Sequence, residues 1–125
     1  MKKVLYALMF CGLIAMGGCN KKEDPTLSYT SIDCEKKEEL MNSGALLIDV
    51  REPNEYADFH LENAVNRPST KILSTIENEI IKEAPIVLYC ASGNRSKNIA
   101  EELVKLGYSN VYDMGSINAC IKEVK

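Results

Sequence analysis

One cysteine, at the end of an apolar run, offers the clearest chemistry in this sequence. Pro85 opens Ile86-Val87-Leu88-Tyr89, a run too short for an ordinary helix and rich in strand-forming types, which stops at Cys90-Ala91-Ser92-Gly93-Asn94-Arg95-Ser96. Beyond it, Ile99, Ala100, Leu103 and Val104 recur at helical spacing, Glu101 faces Lys105 one turn on, and Gly107 supplies a stop. The pattern puts Cys90 where a buried strand ends and a tight loop returns the chain into a helix. Backbone N–H groups at a helix start lack partners and carry the positive end of the helix dipole. A sulfur over such amides, with Arg95 beside it, is favoured as thiolate, and the same concavity suits an anion. Gly93 permits a backbone conformation closed to most residues, so the loop can fold around the sulfur. The competing reading is a structural cysteine in a strand-to-helix turn; the loop, the glycine, the arginine and the helix start together favour a nucleophile.

Two other groups carry charge in suggestive places. Asp49 and Arg51, with Glu52 or Glu55, have the composition of an acid–base group, although an ion pair that orients the loop after a strand is the favoured reading. His60 is the only imidazole, which makes a Cys–His nucleophile pair an option. With no Cys-x-x-Cys motif and a single His, no zinc site is expected.

The elements that must position these residues alternate. Ser28 to Ile32 reads as a short strand; Asp33 can cap a helix through Met41, which Ser43-Gly44 ends. Ala45 to Val50 is a continuous apolar run closing on Asp49, of buried parallel-strand type. Pro53 starts a short helix through Asp58, Ala64-Val65 is a minimal strand, and Ser69 or Thr70 caps a helix carrying Ile72, Leu73, Ile76 and Ile80. Ile86 to Tyr89 is the central strand, and Val111-Tyr112 is a last short one before an amphipathic piece with Ile117, Ile121 and Val124. Strands alternating with helices argue an α/β three-layer domain with a mostly parallel sheet. Sites in such sheets collect at the carboxyl ends of the strands, where Asp49, Arg51 and Cys90 all lie.

Three segments carry a family resemblance: Cys90-x-x-Gly93-x-Arg95-Ser96 after the buried strand, Leu46-Leu47-Ile48-Asp49-Val50-Arg51-Glu52 with Glu55-Tyr56, and His60-Leu61-Glu62-Asn63-Ala64-Val65-Asn66-Arg67-Pro68. In this order and spacing, across about Ser28 to Ile117, the chain resembles rhodanese-like sulfurtransferases, the single-domain periplasmic phage-shock-protein-E type in particular. The resemblance implies the rhodanese-like three-layer fold and sulfane-sulfur transfer without metal or organic cofactor. Cys90 would attack the outer sulfur of a small anionic donor such as thiosulfate, become a persulfide, and pass that sulfur to a thiol, of a small molecule or a protein, or to cyanide. The backbone of Ala91, Ser92, Gly93, Asn94, Arg95 and Ser96 would bind the substrate and developing charge, with Arg95 steadying the donor. Asp49, Arg51 and His60 are implied to be structural neighbours of the site.

The chain departs from the family pattern in places. Phe59 replaces a usual Gly, and Glu62-Asn63 replaces a usual Pro-Gly, although Asn63 can still take a positive φ. Arg67 stands where an apolar residue is usual and is expected to add positive charge near the site. Asp113-Met114-Gly115-Ser116-Ile117 keeps one glycine of a usual pair, and the Trp often found a few residues on is missing. The rival enzyme is a phosphatase or arsenate reductase on the same fold, but Cys-x5-Arg phosphatases place five residues between nucleophile and arginine, whereas four separate Cys90 from Arg95. The rival of another class is a lipid-anchored persulfide carrier or binding module without high turnover.

The remaining sequence sets the compartment. Met1-Lys2-Lys3, an apolar stretch from Val4 to about Ala15, and Met16-Gly17-Gly18-Cys19 read as a leader too short to span a bilayer. The small residues before Cys19 resemble the bacterial lipoprotein cleavage box, with Met16 where Leu is commonest, which implies a signal peptide over 1–18 and lipid on Cys19. Residues 19–27 are polar, charged and Pro-punctuated, a tether, and 28–125 are one domain's length. The expectation is an exported, membrane-anchored monomer facing the periplasm or cell exterior. Without Lys2 and Lys3 the chain has 13 basic against 18 acidic residues, a balance of −5, so nucleic acid is not an expected partner. Of five cysteines, Cys11 leaves with the leader; Cys34 and Cys120 could pair in an exported protein, but spacing alone does not bring them together.

Overall fold

The computed structural model describes residues 28–123; the expected leader, tether and lipid site Cys19, and Val124, lie outside the described residues. Five strands form one fully parallel sheet in the order β1-β5-β4-β2-β3: β1 (Thr30–Ser31), β2 (Leu46–Asp49), β3 (Val65–Asn66), β4 (Ile86–Cys90) and β5 (Val111–Ser116). All five residues of β4 are buried, as a central strand flanked by layers on both faces requires. The helices are α1 (Cys34–Asn42), α2 (Pro53–Asp58), α3 (Ile72–Glu79) and α4 (Asn94–Lys105), followed by a 3₁₀ segment, Ile117–Glu123.

Alternation along β4 divides the core between the two faces. Ile86, Leu88 and Cys90 pack with Ile72 and Ile76 of α3 and Ile99, Ala100 and Leu103 of α4. Val87 and Tyr89 point the other way, into Leu47, Leu61, Met114, Ile117 and Cys120, with Leu40 and Met41 of α1 covering them. The result is the three-layer α/β arrangement. Asp33 caps α1 by accepting the Lys36 N–H at 2.8 Å. A disulfide joins Cys34 to Cys120, whose Cα atoms are 5.4 Å apart, and so ties the start of α1 to the 3₁₀ segment.

Several expected boundaries and pairings move, each for a local reason. The minimal strand lies at Val65–Asn66, one residue later than Ala64-Val65. Neither Ser69 nor Thr70 caps α3: the Ser69 N–H is bound by the Val50 carbonyl, Lys71 takes the cap position, and the Pro68 carbonyl closes the first turn by accepting from Lys71 and Ile72. The last strand runs on to Ser116 because a bulge at Met114, between the pairs Leu88↔Asp113 and Tyr89↔Gly115, keeps it beside β4 through Cys90↔Ser116. Within the 3₁₀ segment the three-residue turn puts Ile117 and Cys120 inward and leaves Ile121 40% exposed, so Ile121 is not a core residue. On α4, Glu101 pairs with Lys97 rather than Lys105, which reaches Glu102. Arg67 is bound to Glu79 at the end of α3 and adds no unpaired charge to the site.

Candidate active site

Cys90 is the last residue of β4, and four residues later the chain is already helical. Gly93 makes this possible as the N-cap of α4 with φ 101°, a conformation that other residues adopt only with strain. The turn aims backbone donors at the sulfur. The Gly93 N–H lies 3.0 Å from Cys90 Sγ and the Ser96 N–H 3.4 Å from it. Ser96 Oγ stands 3.6 Å from the sulfur and 3.3 Å from the Gly93 carbonyl. The Ser96 hydroxyl can therefore accept from a thiol while donating to that carbonyl, or turn its single proton to a thiolate. Cys90 and Ser96 are both fully buried, so these donors act on the sulfur without competition from bulk water.

The other loop residues play different parts. Of the amides from Ala91 to Ser96, those of Gly93 and Ser96 reach the sulfur; Ser92 and Asn94 lie exposed on the rim. The Ala91 carbonyl accepts from Ser116 Oγ at 2.7 Å, and that hydroxyl in turn accepts the Asn118 N–H at 3.0 Å. The far strand thus pins the loop's first residue. Gly93 sits directly over Gly115, so a Cβ added at Gly93 would meet Gly115 Cα at 3.6 Å.

Arg95 lies in the first turn of α4 and forks onto Glu55, with Nη1–Oε1 at 2.9 Å and Nη2–Oε2 at 3.2 Å. Glu55 is itself fixed by a capping box at the start of α2, where Oε1 accepts the Glu52 N–H at 2.8 Å. The Arg95 guanidinium, and after it the Glu52 amide, hold the Glu55 carboxyl down to about 2, and Glu55 in turn keeps Arg95 above its ordinary value.

Asp49 lies in register with Tyr89, on the sheet face opposite to the Cys90 side chain, and binds Arg51. Arg51 donates to both Asp49 oxygens, Nε–Oδ1 at 3.0 Å and Nη2–Oδ2 at 2.8 Å, and Nη2 also donates to the Phe59 carbonyl at 2.7 Å. Burial works against the Arg51 charge, but bonding to Asp49 outweighs it and the guanidinium is held above its ordinary value. Tyr89 is pushed up by burial first and by Asp49 second, and its hydroxyl accepts the Leu61 N–H at 3.1 Å. Asn66 completes the cluster by donating to the Asp49 and Arg51 carbonyls at 2.9 and 3.0 Å. His60 stacks on Tyr56 with centroids 3.7 Å apart, and its Nδ1 lies 2.9 Å from the Tyr56 carbonyl. These bonds turn the imidazole onto its own loop. Asn63 takes φ 68°, preserving the tight turn there.

Sequence reasoning missed two partners of the site, Ser116 and Asn66, and set a third, Glu55, beside Asp49 and Arg51 rather than Arg95. Glu55 had a local signal, since Glu52-Pro53-Asn54-Glu55 has capping-box spacing, but nothing local linked it to Arg95, 40 positions on. Ser116 and Asn66 act across strands and leave no trace in neighbouring residues. Among the described residues, no group of three or more His, Cys, Asp or Glu side chains is placed to hold a metal.

The sequence matches the model of the rhodanese-like domain over residues 33–122. It is 33% identical over 86 residues to the thiosulfate sulfurtransferase GlpE of Pseudomonas entomophila, an alignment spanning 69% of this chain and 78% of that protein. The crystal structure of a rhodanese-related protein from Thermoplasma volcanium superposes with a TM-score of 0.66 at 29% identity, over 76% of this chain and 93% of the other. The human single-domain sulfurtransferase TSTD1, at 24% identity and a TM-score of 0.65 over 78% and 97% of the two chains, shares the fold. With a cysteine at the end of the central strand, a loop curled over its sulfur and these matches across most of its length, the chain belongs to the rhodanese-like domain family.

Proposed function

We propose that this protein is a sulfurtransferase that moves sulfane sulfur from thiosulfate or a related small anionic donor to a thiol or to cyanide through a Cys90 persulfide. The observation that carries this reading is the convergence of the Gly93 and Ser96 amides and the Ser96 hydroxyl on one buried sulfur. In the first half-reaction the Cys90 thiolate attacks the outer sulfur of the donor; the donor's S–S bond breaks and sulfite leaves with the electron pair. In the second, an acceptor thiolate or cyanide takes the outer sulfur and returns Cys90 as thiolate. The loop amides offset the negative charge at each step. The four-residue interval from Cys90 to Arg95 makes a smaller ring than a tetrahedral phosphate needs, which disfavours the phosphatase reading. Thiocyanate formed from thiosulfate and cyanide by the wild-type protein, and lost in Cys90→Ala, is the expected result; equal formation by both proteins contradicts it.

A second reading, a persulfide carrier or docking module with low turnover, is favoured by the complete burial of Cys90. It predicts stable sulfur loading with slow release to cyanide. The same reading extends to place: a phage-shock-protein-E-type monomer, exported and held at a membrane by lipid on Cys19. The Cys34–Cys120 disulfide supports an oxidising compartment. Palmitate labelling abolished in Cys19→Ala tests the anchor; labelling that persists in this variant refutes it.

A further inference from the structure

The arginine of the Cys90 loop is not free to serve a donor with its full charge. Arg95 immediately precedes Ser96, whose amide and hydroxyl face Sγ, and it is Glu55 first of all that holds its guanidinium above the ordinary value. Its fork is engaged by both Glu55 oxygens at 2.9 and 3.2 Å. Glu55 cannot swing away at no cost, because its Oε1 also accepts the Glu52 N–H at 2.8 Å. Both side chains are about a third exposed, at 34% for Arg95 and 31% for Glu55, so the pair stands at the solvent side of the loop. The other nearby arginines are compensated as well, Arg51 by Asp49 and Arg67 by Glu79. What remains for an incoming donor is chiefly the loop amides and the α4 dipole, equivalent to about half a positive charge. That field suits one negative charge better than two.

Resting on the sulfur-transfer reading, we propose that Glu55 is a specificity-determining residue which, by neutralising Arg95, turns the site toward monoanionic sulfane-sulfur donors, organic thiosulfonates and persulfides, and away from dianionic thiosulfate. For a thiosulfonate the step balances without any oxidant. The Cys90 thiolate bonds to the terminal sulfur, the bond from that sulfur to the sulfonyl sulfur breaks, and the organic sulfinate leaves with the electron pair, so a thiolate and a thiosulfonate become a persulfide anion and a sulfinate. Thiosulfate reacts identically but brings one more negative charge to the same place. One extra unit of charge brought near the partly solvated Glu55 carboxylate changes affinity by about three- to tenfold.

The test measures kcat/KM of the full chain for thiosulfate and for benzenethiosulfonate, with cyanide as acceptor, in wild type, Glu55→Gln and Arg95→Met. In Glu55→Gln the carboxamide oxygen can keep the bond to the Glu52 N–H, and the thiosulfate-to-thiosulfonate ratio of kcat/KM is expected to rise about three- to tenfold, mainly through the KM for thiosulfate. In Arg95→Met, which leaves Glu55 uncompensated, the ratio is expected to fall. A Glu55→Gln variant that loses activity equally on both donors, leaving the ratio unchanged, shows Glu55 to be only a structural tie and overturns the proposal. Intact mass separates the two levels of inference: sulfur loading of Cys90 with an unmoved ratio removes the specificity role alone, whereas no loading from either donor removes the sulfur-transfer reading and this proposal with it.

Discussion

Replacing Cys34 and Cys120 by serine should cost this domain a large part of its stability. The disulfide closes a segment with a sequence separation of 86, nearly the whole of the described chain. In the chain-entropy account, a loop of that length restricts the unfolded state by about 4–5 kcal/mol at 25 °C, against total stabilities of about 5–15 kcal/mol for domains in general. For a domain of this size, such a loss lowers the melting temperature by on the order of 20 °C. Cys34 packs partly buried against the core layer in which Cys120 lies fully buried against Met114, so a buried hydroxyl at position 120 adds to the loss. The measurement is thermal unfolding by circular dichroism of the wild type, oxidised and reduced, and of the double variant, with no sulfur donor present. Reduced wild type should melt at a strongly lowered temperature, and the double variant somewhat lower still. A drop of less than about 5 °C would refute the argument that this crosslink closes the fold.

Other consequences follow from the same contacts. Arg51→Met leaves Asp49 buried without its counter-charge and should cost about 3–5 kcal/mol, read as a lower urea midpoint; a loss under about 1 kcal/mol would show the pair to be dispensable. Gly93→Ala forces a side chain into φ 101° and should cost about 1–3 kcal/mol, with a larger proportional fall in sulfur transfer than in stability because the Gly93 amide moves off Sγ. Glu55 has a depressed folded-state value, near 2 against an ordinary 4.5. Its pairing therefore stabilises the fold above about pH 4.5 and is lost as the pH falls toward 2. The stability gap between wild type and Glu55→Gln, followed by denaturant titration, should accordingly close across that window, and a gap independent of pH would contradict the pairing.

The order of elements could be read from the sequence because the two central strands, β2 and β4, are short apolar runs with a turn signal on either side. Ile86 to Tyr89, bounded by Pro85 and the Cys90 loop, is the clearest case. The helix starts at Asp33 and Pro53 were legible from capping chemistry, which is local. The extension of β5 was not: Asp113, Met114 and Gly115 do not look like strand residues, and only the bulge against β4 keeps them there. The same distinction holds at the site. The position of Cys90, the curl at Gly93 and the proximity of Arg95 follow from neighbours in the chain. The neutralisation of Arg95 by Glu55, the grip of Ser116 on Ala91 and the bonds from Asn66 to the carbonyls of residues 49 and 51 join segments far apart in sequence. The role expected for Arg67 failed for this reason: its charge is consumed by Glu79, a residue on a separate helix.

The central claim, that the Cys90 sulfur accepts a sulfane sulfur within its loop, is tested most directly by intact mass spectrometry. The purified protein is incubated with thiosulfate and freed of excess donor under non-reducing conditions. The wild type should gain the mass of one sulfur atom, lose it on addition of cyanide, and show no gain in Cys90→Ala. A wild-type mass that does not change, or a Cys90→Ala variant that gains the same increment, would contradict the account.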